Sequence, residues 1–89
     1  MTRDELAEAA EVLEAAAENA PDEAADRLRS QARQLASLAE ADRGPDHGRM
    51  ARHQQALREI KATVDASIAA DIEEADDLIN AYRSTVQGV

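Results

Sequence analysis

The sequence has no cysteine, phenylalanine or tryptophan, and its one aromatic residue is Tyr82. Without cysteine there is neither a disulfide nor a thiolate metal site. No apolar run approaches the roughly 18 residues of a membrane-spanning helix. The acidic start of the chain also lacks the basic and then apolar pattern of a signal peptide. We therefore expect a cytoplasmic protein without a membrane segment.

Large apolar side chains are scarce. Leucine, isoleucine, valine, methionine and tyrosine together supply eighteen residues, against twenty-one alanines. A core of this composition buries little area per residue, so a monomer of 89 residues would be marginally stable. A second copy of the chain would add burial, and concentrated salt would strengthen apolar association. The composition favours a homodimer.

Lysine is almost absent, since nine of the ten basic residues are arginine and Lys61 is the exception. Nineteen acidic residues bring the net charge to −9. Carboxylates hold water and cations, and molar salt screens their mutual repulsion. An acidic, lysine-poor surface is typical of proteins from a salt-saturated cytoplasm. We expect a halophilic protein rather than an ordinary acidic one.

Apolar residues recur at helical spacing along most of the chain. A capping box of Thr2 and Glu5 begins a first helix of about seventeen residues. Asn19, which tolerates the left-handed conformation, and Pro21 predict a tight turn into a second helix. Gly44 is placed as the residue just past the end of that second helix.

The second half of the chain could form one helix or two. After Val64 the apolar spacing changes, and residues 63–67 have weak helix propensity, with Asp65 and Ser67 both able to cap a new helix. We therefore predict an all-α fold, a small antiparallel bundle of four helices that forms a single domain over residues 1–89. In the alternative, two short helices pack on one C-terminal helix of about forty residues, about 60 Å long.

Residues 41–49, Ala-Asp-Arg-Gly-Pro-Asp-His-Gly-Arg, interrupt the helical repeat and hold two of the three glycines. The third helix begins at Gly44–Pro45 or at Asp46, since either start is chemically sensible. Gly48 costs about 1 kcal/mol inside a helix relative to alanine. Its presence therefore indicates close backbone packing or a bound group at this corner.

Charge is unevenly distributed along the chain. Residues 1–26 hold nine acids and one base, residues 27–61 eight bases and four acids, and residues 62–89 six acids and one base. In one interpretation the acidic helices neutralise the basic ones. In the other, a basic corner at residues 43–58 binds a phosphate, a nucleotide or an acidic partner. The candidate anion- or partner-binding residues are Arg43, His47, Arg49 and Arg52.

Other chemistries have less support. The acidic net charge and the lack of aromatics near the arginines argue against nucleic-acid binding. His47 and His53 are about 600° apart on a helix, so their rings point to different faces. We therefore expect no metal site there. His53 lies on the apolar stripe, where we expect a buried ring with one hydrogen-bonded nitrogen. No nucleophile motif or phosphate-cradling glycine loop is present. We expect a protein without catalytic residues, cofactor or metal, which acts through protein–protein contacts.

Three stretches carry a resemblance to a known group of proteins. They are residues 41–53 (ADRGPDHGRMARH), 56–59 (ALRE) and 81–89 (AYRSTVQGV). Together they resemble a small family of uncharacterised haloarchaeal proteins over essentially the whole chain. The resemblance implies a compact helical fold and a halophilic origin, and it implies no activity, cofactor or catalytic residue.

Overall fold

The computed structural model describes residues 3–86, which form four α-helices. These are α1 (Asp4–Glu18), α2 (Asp22–Glu40), α3 (His47–Lys61) and α4 (Ala66–Arg83). The prediction of an all-α fold with four helices is confirmed. The alternative with one long C-terminal helix is wrong, because α3 and α4 are separate.

The break between α3 and α4 is made by side chains that bind the backbone. The hydroxyl of Thr63 donates to the carbonyl oxygen of Ile60 at 2.8 Å, at the end of α3. Asp65 then caps α4 by accepting from the N–H of Ile68 at 3.0 Å. That bond and a second from the Ser67 hydroxyl hold the pKa of Asp65 below its usual value. The chain is thus interrupted without glycine or proline.

The four helices form an antiparallel bundle in which each helix packs against two neighbours. The neighbouring pairs are α1–α2, α2–α3, α3–α4 and α1–α4. α1 approaches its two neighbours most closely, and its buried residues are four alanines and two leucines. Small side chains allow helix axes to approach each other, whereas α3 buries Met50, Leu57 and Ile60 and stands further from α2.

A single core closes within one chain. Its largest fully buried side chains are Leu6, Leu13, Leu28, Leu35, Met50, Leu57, Ile60, Ile72 and Ile79. Within residues 3–86, every leucine, isoleucine, valine, methionine and tyrosine side chain is buried or half-buried. The large apolar residues therefore find partners inside the bundle, although Val12, Leu38, Val64, Leu78 and Val86 are only partly buried. No helix in this part of the chain has the length and apolarity needed to cross a membrane.

Helix ends in residues 3–86 do not use the left-handed conformation that the sequence predicted. No residue in this range has a positive φ. Asn19 ends α1 at φ −107°, and α2 ends at an extended Ala41 (φ −66°, ψ 147°), three residues before Gly44. The left-handed conformation predicted at Asn19 is therefore wrong, and so is the placement of Gly44 directly after α2. The capping box placed the cap at Thr2, which lies outside the described residues, whereas α1 begins at Asp4 with Arg3 at the cap position and no side-chain cap bond there.

Arg3 replaces the missing cap at the end of α2. Its backbone N–H donates to the carbonyl oxygen of Ala39 at 3.0 Å, and its guanidinium donates to those of Leu38 at 3.2 Å and Ala41 at 2.6 Å. The last carbonyls of a helix have no partner within the helix and carry the negative end of its dipole. A cation supplied from the beginning of the chain therefore satisfies them.

Gly44 is required by its neighbours rather than by its backbone conformation. A Cβ atom at this position would lie 2.6 Å from Nε of Arg3 and 2.6 Å from the hydroxyl oxygen of Tyr82. The same hydroxyl donates to the carbonyl oxygen of Pro45 at 2.8 Å and is buried. Gly44 thus lets both ends of the chain pack against the α2–α3 connection.

Candidate functional site

The basic corner begins where Asp46 starts α3. Its carboxylate accepts from the N–H of Arg49 at 2.8 Å, so the helix begins at His47 and Asp46 is the cap. Successive helical residues differ by about 100° in direction. His47 therefore projects away from Arg49 and Arg52, which lie on one side of the helix.

His47 lies in a polar network between α3 and α4. Its Nδ1 accepts from Nε of Arg83 at 3.1 Å, and the same guanidinium donates to Oε1 of Gln54 at 2.7 Å. The amide nitrogen of Gln54 donates to Asp76 and Asn80, both at 2.9 Å. Gln54 is only 3 % exposed, so its bonds to α4 satisfy a buried amide. The ring of His47 is thus engaged with α4.

Arg49 and Arg52 line an open depression between α2 and α3. Its other lining residues are Gln31, Gln34 and His53, and its volume is about 410 Å³. Both arginine side chains are exposed, and neither has a hydrogen bond or an ion pair within residues 3–86. The structure therefore brings together two of the four candidate residues and adds two glutamines from α2.

His53 forms the buried part of this depression. The ring is 5 % exposed, and its Nδ1 lies 2.6 Å from Oε1 of Gln31. Because a carbonyl oxygen only accepts, Nδ1 carries the proton in this contact. Burial lowers the pKa of His53, and the positive charges of Arg49 and Arg52 lower it further. The prediction of a buried His53 with one hydrogen-bonded nitrogen is confirmed.

The remaining candidate residues of the corner behave differently. Arg43 is exposed on the connection between α2 and α3, outside the depression. Gly48 is also exposed, and a Cβ atom there would meet only Oδ1 of Asp46, at 3.6 Å. The expectation of close backbone packing at Gly48 is therefore wrong, because the first turn of α3 faces solvent at that position.

Part of the basic charge is neutralised internally. Lys61 pairs with Glu73 of α4 at 3.3 Å, and Arg27 pairs with Glu59 at 3.6 Å. Exposed pairs of this kind contribute about 0–1 kcal/mol each. The arginines of the depression take no part in such pairs within the described range. Internal pairs thus neutralise charge between α2 and α3 at Arg27 and between α3 and α4 at Lys61, whereas Arg49 and Arg52 form no such pair.

A second surface feature lies between α1 and α2, which we call the alanine groove. It is open, with a volume of about 580 Å³. Its lining residues are Ala7, Ala10, Glu11, Glu14, Ala32, Arg33, Ala36, Ala39 and Glu40. The apolar part of the lining is thus alanine alone, with Glu11 and Glu14 on α1 and with Arg33 and Glu40 on α2.

Residues missed from the sequence share one property: their roles depend on pairing between helices. Gln31 acts through His53, and Gln54 and Arg83 act through each other. The only available signal is that Gln54 is a polar residue on the apolar stripe of α3. Residues 3–86 contain no group of three or more histidine or acidic side chains arranged to hold a metal ion.

The sequence of this chain is similar to a known protein family. Residues 1–85 match a family of unknown function, DUF7553. The chain belongs to this family. The DUF7553 match includes both the basic depression and the alanine groove, so neither feature lies in an appendage to the family's sequence. Neither a curated protein nor a solved structure matches the chain.

Proposed function

We propose that this protein is a non-enzymatic helical bundle that acts through protein–protein contacts and self-associates as a homodimer. The observation that carries the proposal is the alanine groove between α1 and α2. Alanine faces allow close helix packing without the loss of side-chain entropy that larger residues bring. Ala10, Ala32 and Ala39 form the buried floor of the groove. The exposed Ala36 and the half-buried Ala7 are the alanines that would gain apolar contact with a second copy.

Charge complementarity favours a second copy as the occupant of the groove. Glu11 and Glu14 lie on its α1 side, and Arg33 and Glu40 lie on its α2 side. Glu11, Glu14 and Arg33 have no ion pair within residues 3–86. A two-fold axis along the groove sets α1 of each copy against α2 of the other. The acidic side of each groove then faces the guanidinium of the second copy. At Arg33 the surface is therefore complementary to itself.

The face is small for a stable dimer. α1 has 15 residues and is about 22 Å long at 1.5 Å per residue. Two adjacent helices then present a face of about 450 Å² per copy, or about 900 Å² in total, below the standard range for stable complexes. We expect a concentration-dependent dimer that dissociates in the micromolar range.

Sedimentation velocity in molar KCl, over a series of protein concentrations, tests the proposal. Ala36→Glu places a charge in the groove and should weaken dimerisation about tenfold or more. Ala51→Glu makes the same change at an exposed alanine of α3 outside the groove and should leave dimerisation unchanged. A monomeric wild-type protein at high micromolar concentration would refute self-association. Equal weakening by both variants would place the contact elsewhere.

We also propose a salt-rich archaeal cytoplasm as the protein's solvent. The support is the excess of nineteen acids over ten bases and the single lysine, together with the resemblance described above. Salt should stabilise the fold by screening the acidic surface and strengthening apolar burial. Urea unfolding at about 0.1 M and about 2 M KCl measures this directly. An unfolding midpoint that does not rise with KCl would contradict the proposal.

A further inference from the structure

The depression between α2 and α3 differs chemically from the rest of this acidic protein. No carboxylate is among its lining residues, which are Gln31, Gln34, Arg49, Arg52 and His53. α2 and α3 are also the least closely packed of the four neighbouring helix pairs. The wider spacing leaves the polar side chains of the two helices accessible beside the buried histidine.

Hydrogen-bond donors dominate this depression. Each guanidinium has five N–H groups, and neither Arg49 nor Arg52 gives any of them to an acceptor within residues 3–86. The bond from His53 holds Oε1 of Gln31, so the amide nitrogen of Gln31 remains as a further donor. Gln34 donates to Ser30 at 3.2 Å and contributes a carbonyl oxygen. The unused polar groups are therefore mainly N–H groups next to two positive charges.

We propose that this depression binds a phosphate group through Arg49, Arg52 and the side-chain amide of Gln31. Planar guanidinium groups bind phosphate oxygens by paired hydrogen bonds. Gln31 is already oriented for this role by its contact with the buried ring of His53. The site lies on the α2–α3 face, so it is independent of self-association through the α1–α2 groove.

The phosphate could be a free ion or part of a nucleotide. No aromatic side chain lines the depression, so nothing there can stack on a base. Recognition therefore depends on the phosphate group alone. We expect inorganic phosphate and AMP to bind with similar affinity, and an AMP affinity more than about tenfold higher would overturn this assignment.

NMR titration of the ¹⁵N-labelled full chain with inorganic phosphate, in KCl at constant ionic strength, tests the site. We expect saturable shifts of the Gln31 side-chain amide and of the Nε–H groups of Arg49 and Arg52. Arg49→Gln and Arg52→Gln should each weaken binding about tenfold. Arg43→Gln removes the same charge from the neighbouring connection and should leave the affinity unchanged.

Two further measurements keep the outcome decisive. Both arginines are exposed, so each variant should retain the wild-type circular dichroism spectrum, and the spectrum verifies this. A repeat of the phosphate titration with the Ala36→Glu variant separates the site from dimerisation. Equal loss in the Arg43→Gln variant, or shifts that do not saturate, would show a diffuse electrostatic effect and overturn the proposal.

Discussion

The guanidinium of Arg3 donates a 2.6 Å hydrogen bond to the carbonyl oxygen of Ala41, across 38 positions of sequence. The contact joins the beginning of the chain to the end of α2. It also places Arg3 against Gly44, which in turn lies beside the last turn of α4. Three elements of the bundle therefore meet at one basic side chain.

Removal of this guanidinium should loosen the end of α2. Arg3→Met keeps much of the apolar stem but leaves the carbonyl of Ala41 without its donor, and leaves that of Leu38 with only the 3.4 Å bond from the N–H of Ala41. Because the contact is partly exposed, we expect a loss of about 1 kcal/mol, or about 4–8 °C in Tm. Thermal unfolding followed by circular dichroism measures the change. Arg43→Met, at an exposed arginine, should change stability by less than about 0.5 kcal/mol.

The two glycines of the corner should respond in opposite directions to the same substitution. Gly44→Ala forces Arg3 or Tyr82 to move from contacts of 2.6 Å and should destabilise the fold by about 1–3 kcal/mol. Gly48→Ala meets only an ordinary contact of 3.6 Å and should stabilise it by up to about 1 kcal/mol. Urea unfolding midpoints of the two variants provide the comparison. Loss of stability in Gly48→Ala would contradict the solvent-facing first turn of α3.

The buried amide of Gln54 should contribute more to stability than its exposed neighbour. Gln54→Ala removes three hydrogen bonds to α4 and leaves a cavity, so we expect a loss of about 2 kcal/mol. Gln55→Ala on the same helix turn is exposed and should stay within about 0.5 kcal/mol of the wild type. Urea titration distinguishes the two. If both variants lost the same stability, the hydrogen bonds of Gln54 to α4 would contribute no net stability.

The buried ring of His53 should make stability depend on pH. Burial lowers the pKa of His53 in the folded protein, so the unfolded chain takes up the proton first as the pH falls. The stabilisation is thus complete above the unfolded pKa of about 6.5 and is lost as the pH falls through the lower folded pKa. Unfolding midpoints between about pH 5 and about pH 8 reveal the slope. His53→Gln should remove this component, and His47→Gln should retain it.

Local features were readable from the sequence where a residue acts on its own helix. The break at residues 63–66 and the burial of His53 are of this kind, since Asp65 caps its own helix and His53 lies on its own apolar stripe. Arg3 and Gln31 act on other helices, and their partners depend on the antiparallel register, which single-helix periodicity does not specify. The same limit explains Gly44, whose role depends on side chains 41 positions before and 38 positions after it.

The basic corner contains both kinds of residue, those that act on their own helix and those that act on another helix. The charge distribution predicted Arg49 and Arg52 together with Arg43 and His47, and the spacing of the first two places them on one side of α3. The sequence could not show that His47 contacts Arg83, or that α2 supplies two glutamines opposite the arginines. The phosphate-binding and self-association proposals therefore depend on contacts between helices, and the variants above separate them.

The buried contact between Tyr82 and Pro45 has a practical consequence. Tyr82 is the only aromatic residue in the chain, so all intrinsic ultraviolet emission comes from one ring. Its hydroxyl is held 2.8 Å from a backbone carbonyl, a contact that tends to quench phenol emission and that disappears when the last helix separates from the α2–α3 connection. The wild-type protein thus contains a built-in optical reporter for that single event, readable in stopped-flow experiments without any attached dye.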